Sequence, residues 1–256
     1  MTVELVIPDW PAPAGVQAFT TTRAGGYSKS PFNGLNLGAR CGDDPLSVAK
    51  NRKELLSRLP AEPAWLQQVH GTRVIHYSQA VAEESEADGL ISSSPGQVCA
   101  VLTADCLPVL FCNRSGSQVA AVHAGWRGLA QGVLQSALNK MNETPREIIA
   151  WLGPAIGPEK YEVGDEVRKA FHPAHEIHIV KQGNRWLLDL AGVARQLLSE
   201  AGIAAIYGGH FCTFSDRDRF FSYRRDGISG RMASVIWLGA PKVQSQLQSS
   251  VAESVS

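Results

Sequence analysis

Every strand this chain can form is short, which confines it to an architecture in which many strands share one core. Runs rich in apolar and β-branched residues fall at 17–22, 65–69, 73–77, 98–103, 107–111, 119–122, 148–152, 177–180, 186–188, 204–207 and 233–238, with Gly, Pro or polar breaks between them. Helical spacing is rarer. It occurs at 45–59, where Val48, Leu55, Leu56 and Leu59 recur between Lys and Arg, and at 129–141 and 190–201. Groups of strands with helices inserted between them predict an α+β fold, with a core of packed sheets and helices covering the outer faces. No long linker interrupts the pattern. Residues 1–242 are therefore expected to form one catalytic domain, and 243–256, rich in Ser, Gln and Val, a mobile tail.

Composition narrows the function. With 256 residues, 44% of them hydrophobic, the chain can bury a full core. Its 24 basic and 24 acidic residues cancel, so no electrostatic footprint for nucleic acid or an anionic membrane is expected. The segment MTVELVIPDW has no basic region ahead of an apolar stretch, and no run is long enough to span a bilayer. Five cysteines without a framework spacing suit a reducing compartment, and a cytoplasmic location is expected.

Three isolated residues carry the chemical signal: His70 in QVHG, Cys106 in TADCLP and His123 in AVHAGWRG. A structural zinc site usually draws its ligands in close pairs such as Cys-x-x-Cys, and none is present. Three ligands from distant strand ends would instead make a two-His, one-Cys site with an open fourth position, the arrangement of a catalytic metal. Each residue also has a plain alternative, since buried Cys and His are common in cores. Context favours ligation. Cys106 follows a polar Ala104-Asp105 break between apolar runs, and His123 precedes Gly125 and Gly128, which allow close approach.

Other segments carry weaker signals. TTRAGGYS places Arg23 in a Gly-rich loop able to cradle an anion, but neither a P-loop nor a G-x-G-x-x-G motif is present. GPAIGP reads as a rigid loop, and FFSYRRDGISGRMA sets Arg224, Arg225 and Arg231 around two glycines, where guanidinium forks can hold phosphate. In HPAHEIH, His172, His175 and His178 fall on inconsistent faces, and an exposed segment is expected. His210 and Cys212 are spaced to chelate from one strand face, yet their Phe neighbours suit a packed edge equally.

TTRAGGYS, GDD with Asn51-Arg52, QVHG, ADGL, TADCLPVLF, AVHAGWRG, GPAIGP with YEVG, and SYRRDG with GRMA together resemble the YfiH family from about Thr20 to about Leu238. Its members are also called laccase-domain or multicopper polyphenol oxidase proteins and purine nucleoside phosphorylases. The resemblance implies a four-layer α/β/β/α sandwich and a metal on His70, Cys106 and His123. It further implies phosphorolysis of adenosine, inosine, guanosine and methylthioadenosine, with adenosine deamination. A true laccase needs a blue copper and a trinuclear cluster, roughly ten imidazoles. The chain has 7 His. Zinc is the expected occupant, with copper able to compete for the same ligands.

For phosphorolysis, cations must hold phosphate below the sugar while the base leaves with assistance. Arg127, Arg224 or Arg225, and Arg23 are the expected phosphate contacts. The deaminase signature H-x-E with P-C-x-x-C is absent, so Asp105 beside Cys106 is the expected proton carrier. A second chemical class stays open. Cys106 beside a histidine base would make a thiol hydrolase acting on amides, consistent with editing of cell-wall precursors, which the resemblance also suggests. A pocket that binds purines without turnover is a third.

Overall fold

In the computed structural model, which describes residues 3–80 and 85–239, the backbone forms β1 (Leu5–Val6), β2 (Val16–Thr21), α1 (Pro45–Leu56), β3 (Val74–His76), β4 (Gly89–Ser92), β5 (Cys99–Thr103), β6 (Leu107–Asn113) and β7 (Val119–Ala124). There follow α2 (Trp126–Gln131), α3 (Val133–Met141), β8 (Ile148–Leu152), β9 (Glu162–Val163), α4 (Asp165–Arg168), β10 (Ile179–Gln182), β11 (Arg185–Leu188), α5 (Leu190–Glu200), β12 (Ala205–Gly208), α6 (Tyr223–Asp226) and β13 (Met232–Leu238). The residues 243–256, expected to be mobile, lie outside those described.

Two sheets make the centre. One runs β12-β8-β6-β7-β4-β3, the other β1-β2-β13-β5, and a small β10-β11-β9 sheet stands apart. Strand periodicity sorts the side chains. From β6, Val109 and Phe111 face a cluster with Leu129, Leu134, Ala137, Val193 and Leu198 of the helices. Leu110 and Cys112 face the opposite way, against Cys99, Val101, Met232 and Ile236 of the four-stranded sheet. On that sheet's far side, Phe19, Ala100, Ala233 and Val235 pack on Leu55 of α1 and on Leu35 and Leu37. The order is helices, sheet, sheet, helix with loops: the four-layer α/β/β/α sandwich. Because both faces of the six-stranded sheet are covered, β8 reads as an unbroken apolar run, and β6 and β7 are apolar apart from Asn113 and His123.

Three expected elements differ. The run 65–69 is not a strand. Gln68 instead clasps the backbone of Leu102, its Oε1 accepting from Leu102 N at 2.7 Å and its Nε2 donating to Leu102 O at 2.8 Å, so a side chain does the work of a ladder. The run 177–180 begins inside a 3-10 turn, Pro173–His178, and pairs only from Ile179. Finally, 129–141 is two helices, because Gly132 takes a left-handed φ of 93° between them. α1 begins as its sequence suggests, with Asp44 capping Leu46 N and Ser47 N ahead of Pro45.

One feature of β5 yields a stability prediction. Thr103 is 1% exposed and its hydroxyl has no hydrogen-bond partner. An unpaired buried hydroxyl is costly, so Thr103→Val is expected to stabilise the protein by about 1 kcal/mol and raise Tm by about 2–4 °C. Differential scanning calorimetry checks it. An unchanged or lower Tm would show that the hydroxyl has a partner in solution.

Candidate metal centre

His70, Cys106 and His123 converge at one end of the six-stranded sheet, their ligand atoms all within 4.8 Å of one another. Each arrives by a different local device. His70 sits at a tight turn with φ 60°, Cys106 follows Asp105, whose φ of 95° bends the chain out of β5, and His123 lies in β7. The Cys106 Sγ lies 3.9 Å from His70 Nε2, and the two imidazoles meet edge to face at 4.8 Å between centroids. Tetrahedral zinc separates such ligand atoms by about 3.3–3.6 Å, so the donor set fits an ion after side-chain shifts of up to about an ångström. Gly125 makes the approach possible: a Cβ there would lie 3.1 Å from both Cys106 Sγ and His70 Cδ2. Among the described residues this is the one group of three or more His, Cys, Asp or Glu able to hold a metal.

Asp88 organises the centre. Its fully buried carboxylate accepts from His70 N at 3.0 Å, Gly71 N at 2.7 Å and Val69 N at 3.2 Å, and from His123 Nδ1 at 2.8 Å. It thereby fixes the tautomer of His123, leaving Nε2 to face the ligands. Burial alone would raise the Asp88 carboxyl, but the hydrogen bond and charge of His123 and the backbone N–H groups hold it below the ordinary range. Sequence reasoning gave Asp88 no role within ADGL. The available signal was a carboxylate placed directly before an apolar strand, where it had to be buried and paired.

The thiol is electrostatically prepared. Burial pushes Cys106 up, but the charge and hydrogen bond of His123, and then those of His70, outweigh it and bring the thiol down to about 6. Burial pushes His123 down, while Cys106 and Asp88 together hold it above its usual value.

The other expected site residues are placed as follows. Asp105 is buried, and both its carboxylate oxygens are engaged: Thr213 Oγ1 donates to one at 2.6 Å and Arg224 N to the other at 2.6 Å. Through these bonds Asp105 fastens α6 to the Cys106 bend. The GPAIGP loop supports the same bend, with Ile156 N donating to Asp105 O at 2.9 Å. Arg225 directs Nη1 to the carbonyls of Thr213 and Phe214, and Nη2 to Phe220 O and Asp226. Arg23 bonds to Arg217 O and Asn33 O over the Phe221 ring. Arg224 reaches Glu162 O and stacks on Tyr161, and Arg127 stacks on Trp126 with its guanidinium 4.3 Å from the ring centroid.

None of these four guanidinium groups belongs to the residues lining the cleft that opens on Cys106. That cleft, of about 470 Å³, is bounded by His70, Cys106 and His123 at one end and by Arg40, Arg52 and Arg231 among its other walls. The remaining histidines stand elsewhere. The HPAHEIH segment is exposed as expected apart from half-buried His178 and buried His175, which pairs with Glu200 at 3.2 Å. His210 is exposed with its ring 4.2 Å from that of Phe211, and half-buried Cys212 accepts through Sγ from Gly157 N at 3.2 Å.

Fold and site together define an α/β/β/α protein that brings two imidazoles and one thiol to a point at the end of an arginine-bearing cleft. The chain belongs to the family described as multi-copper polyphenol oxidoreductase laccase, whose model matches residues 17–239, and to the YfiH group within it. It is 50% identical to "Purine nucleoside phosphorylase YfiH" of Escherichia coli over 92% of this chain and 99% of that one. It is likewise 50% identical to "Purine nucleoside phosphorylase PA4543" of Pseudomonas aeruginosa over 90% of this chain and 97% of that one. Among solved structures, Neisseria meningitidis protein NMB0706 superposes with a TM-score of 0.89 at 45% identity, over 92% of this chain and 99% of that one. YlmD of Geobacillus stearothermophilus gives a TM-score of 0.81 at 33% identity, over 90% and 94%. Among the described residues, no helix is long and apolar enough to cross a membrane.

Proposed function

We propose that this chain is a metal-dependent purine nucleoside phosphorylase acting on adenosine, inosine, guanosine and methylthioadenosine, with adenosine deamination as a second activity. The observation that carries the reading is the juxtaposition of the His70, Cys106 and His123 ligand set with a cleft of about 470 Å³ lined by three arginines. That volume lies within the range of small-molecule sites. The names of relatives at 50% identity over at least 90% of the chain support the same assignment.

In phosphorolysis a phosphate oxygen forms a bond to the anomeric carbon, the bond from that carbon to the purine nitrogen breaks, and its electron pair leaves with the base, which takes up a proton. The protein must therefore hold an anion and a neutral nucleoside in line. Arginines of the cleft supply charge for the phosphate, and apolar Leu66, Leu102 and Ala104 in the same wall exclude water from the nucleoside. His70, Cys106 and His123 would hold zinc, which supplies a Lewis acid at that end of the cleft when bound, and copper would compete for the same ligands. Asp88 keeps the Nδ1 proton on His123 and orients its ring.

The test is to incubate metal-replete protein with inosine or adenosine, with and without phosphate, and to separate free base, ribose 1-phosphate and ammonia. Base and ribose 1-phosphate that appear only with phosphate are the expected products. Base released equally without phosphate would make the protein a hydrolase instead.

One observation favours a second reading. Cys106, His123 and Asp88 also stand in the order of a nucleophile, a base and a group that orients the base, with a thiol already depressed to about 6. Such a triad would hydrolyse amides, including those of cell-wall precursors. Rapid alkylation of Cys106 in freshly purified protein that carries no zinc selects it; stoichiometric zinc with a protected thiol selects the phosphorylase.

A further inference from the structure

Two large aromatic rings, Trp65 and Tyr223, belong to the wall of the cleft, and the fold uses them differently. Trp65 is 5% exposed, its Nε1 donates to Glu62 Oε1 at 2.9 Å, and the Arg52 guanidinium lies 4.5 Å from its ring centroid. Its face is already taken. Tyr223 is 58% exposed, although it lines the same cleft as His70, Cys106 and His123.

The backbone that carries this exposed ring is fastened on both sides of it. Ser222, fully buried, accepts from Arg225 N through its Oγ at 3.2 Å, and Tyr223 O accepts from Gly227 N at 2.8 Å. The next residue, Arg224, donates its N–H to an Asp105 carboxylate oxygen at 2.6 Å. Asp105 directly precedes Cys106, so this last bond registers Tyr223 against the thiol. The Arg231 guanidinium, held by Ser229 O at 2.6 Å and Gly230 O at 3.0 Å, stands 5.9 Å from the Tyr223 ring centroid and braces it.

A single exposed tyrosine on a convex surface needs no explanation. This one stands in a cleft of about 470 Å³ on an anchored main chain. A phenol ring has two side-chain torsions, so ordering it costs little entropy, and its π face accepts a flat heteroaromatic ring laid over it. Covering it also withdraws apolar surface from water. Ribose and phosphate have no π face and gain nothing from such a platform, whereas a two-ring base gains the most contact.

We propose that Tyr223 is the base platform of the cleft, taking the flat face of a purine on its ring. The assignment rests on the phosphorylase reading for its ligand and adds to that reading the residue that selects the base.

Free adenine, which binds without turnover, is the probe. It is titrated by calorimetry and ¹H NMR into metal-replete wild type, Tyr223→Ala, Tyr223→Leu and Tyr223→Phe, with circular dichroism and zinc content measured on each. Tyr223→Ala is expected to weaken adenine binding about ten- to a hundredfold, the effect of removing one stacked aromatic from a bound base, with fold and zinc content retained. Tyr223→Leu should lose most of the same affinity, because it restores apolar bulk without a π face. Tyr223→Phe should keep most of it, because the face and not the hydroxyl makes the contact. The H2 and H8 resonances of bound adenine should move upfield under the ring current in wild type and Tyr223→Phe only. In turnover, the KM for nucleoside should rise in Tyr223→Ala with that for phosphate unchanged. Wild-type adenine affinity in Tyr223→Ala and Tyr223→Leu, a loss in Tyr223→Phe as large as in Tyr223→Ala, no upfield shift, or no binding by wild type would overturn the assignment. Should Tyr223→Ala fail to fold, Tyr223→Leu and Tyr223→Phe still decide it. If wild type stacks adenine on Tyr223 yet releases no base from any purine nucleoside, the platform stands and the phosphorylase reading falls. Phosphorolysis by Tyr223→Ala at the wild-type KM for nucleoside keeps that reading and removes the platform.

Discussion

Asp88→Ala is expected to lower stability by about 3 kcal/mol and Tm by about 6–12 °C, and to weaken metal binding about ten- to a hundredfold. The carboxylate accepts four hydrogen bonds, three from consecutive backbone N–H groups and one from His123. Val69 and His70 are exposed enough for water to replace what they lose, but His123 is 3% exposed and cannot be rehydrated in place. Asp88→Asn should cost less, because its amide oxygen still accepts while its NH₂ group faces donors. The pH dependence has a defined sign. The folded carboxyl is held below its ordinary value, so its contribution is present above about pH 4 and fades as pH falls through the depressed value. The gap between wild type and Asp88→Asn should therefore close on acidification. Denaturant melts across pH, with zinc competition assays at pH 7, measure both effects. A gap that persists unchanged well below the wild-type transition would assign Asp88 a purely steric role.

Cys106→Ala should weaken metal binding by at least about a hundredfold, since one of three protein ligands is gone and structural zinc binds with about 10–16 kcal/mol in total. Turnover should fall with it. The fold should survive, because the buried clusters on both sheets are complete without an ion. His123→Ala should lose metal to the same degree but also cost stability, because it strips Asp88 of its buried partner. Elemental analysis beside circular dichroism separates the variants. Full zinc retention in both would move the centre elsewhere.

The cluster of His70, Cys106 and His123 and most of the fold were legible in the sequence for one reason: both announce themselves locally. His70 and Cys106 stand where apolar runs stop, and strands such as 148–152 are apolar throughout because the sandwich covers both their faces. What stayed hidden is made by contacts across the chain. Asp88 acquires its role from residues 69–71 and 123, distant in sequence on both sides. The surroundings of the arginines stayed hidden for a related reason. Arg224 and Arg225 sit in a motif beside the site, but the carbonyls their guanidinium groups bond are set by tertiary folding, whereas Arg231 reaches the cleft because Asn36, Leu37 and Gly38 hold it there. Likewise nothing in 65–69 reveals that Gln68 replaces a strand ladder with its own amide.

The bonds from Asp88 to both histidine-bearing segments make the cluster a single mechanical unit. One carboxylate takes the backbone N–H of His70 and the ring N–H of His123, so two stretches of chain far apart in sequence are pinned to a single side chain. The spacing of the cluster is then a property of the fold itself, and a change that frees Asp88 would displace the His70 turn and the His123 ring together, as parts of one unit.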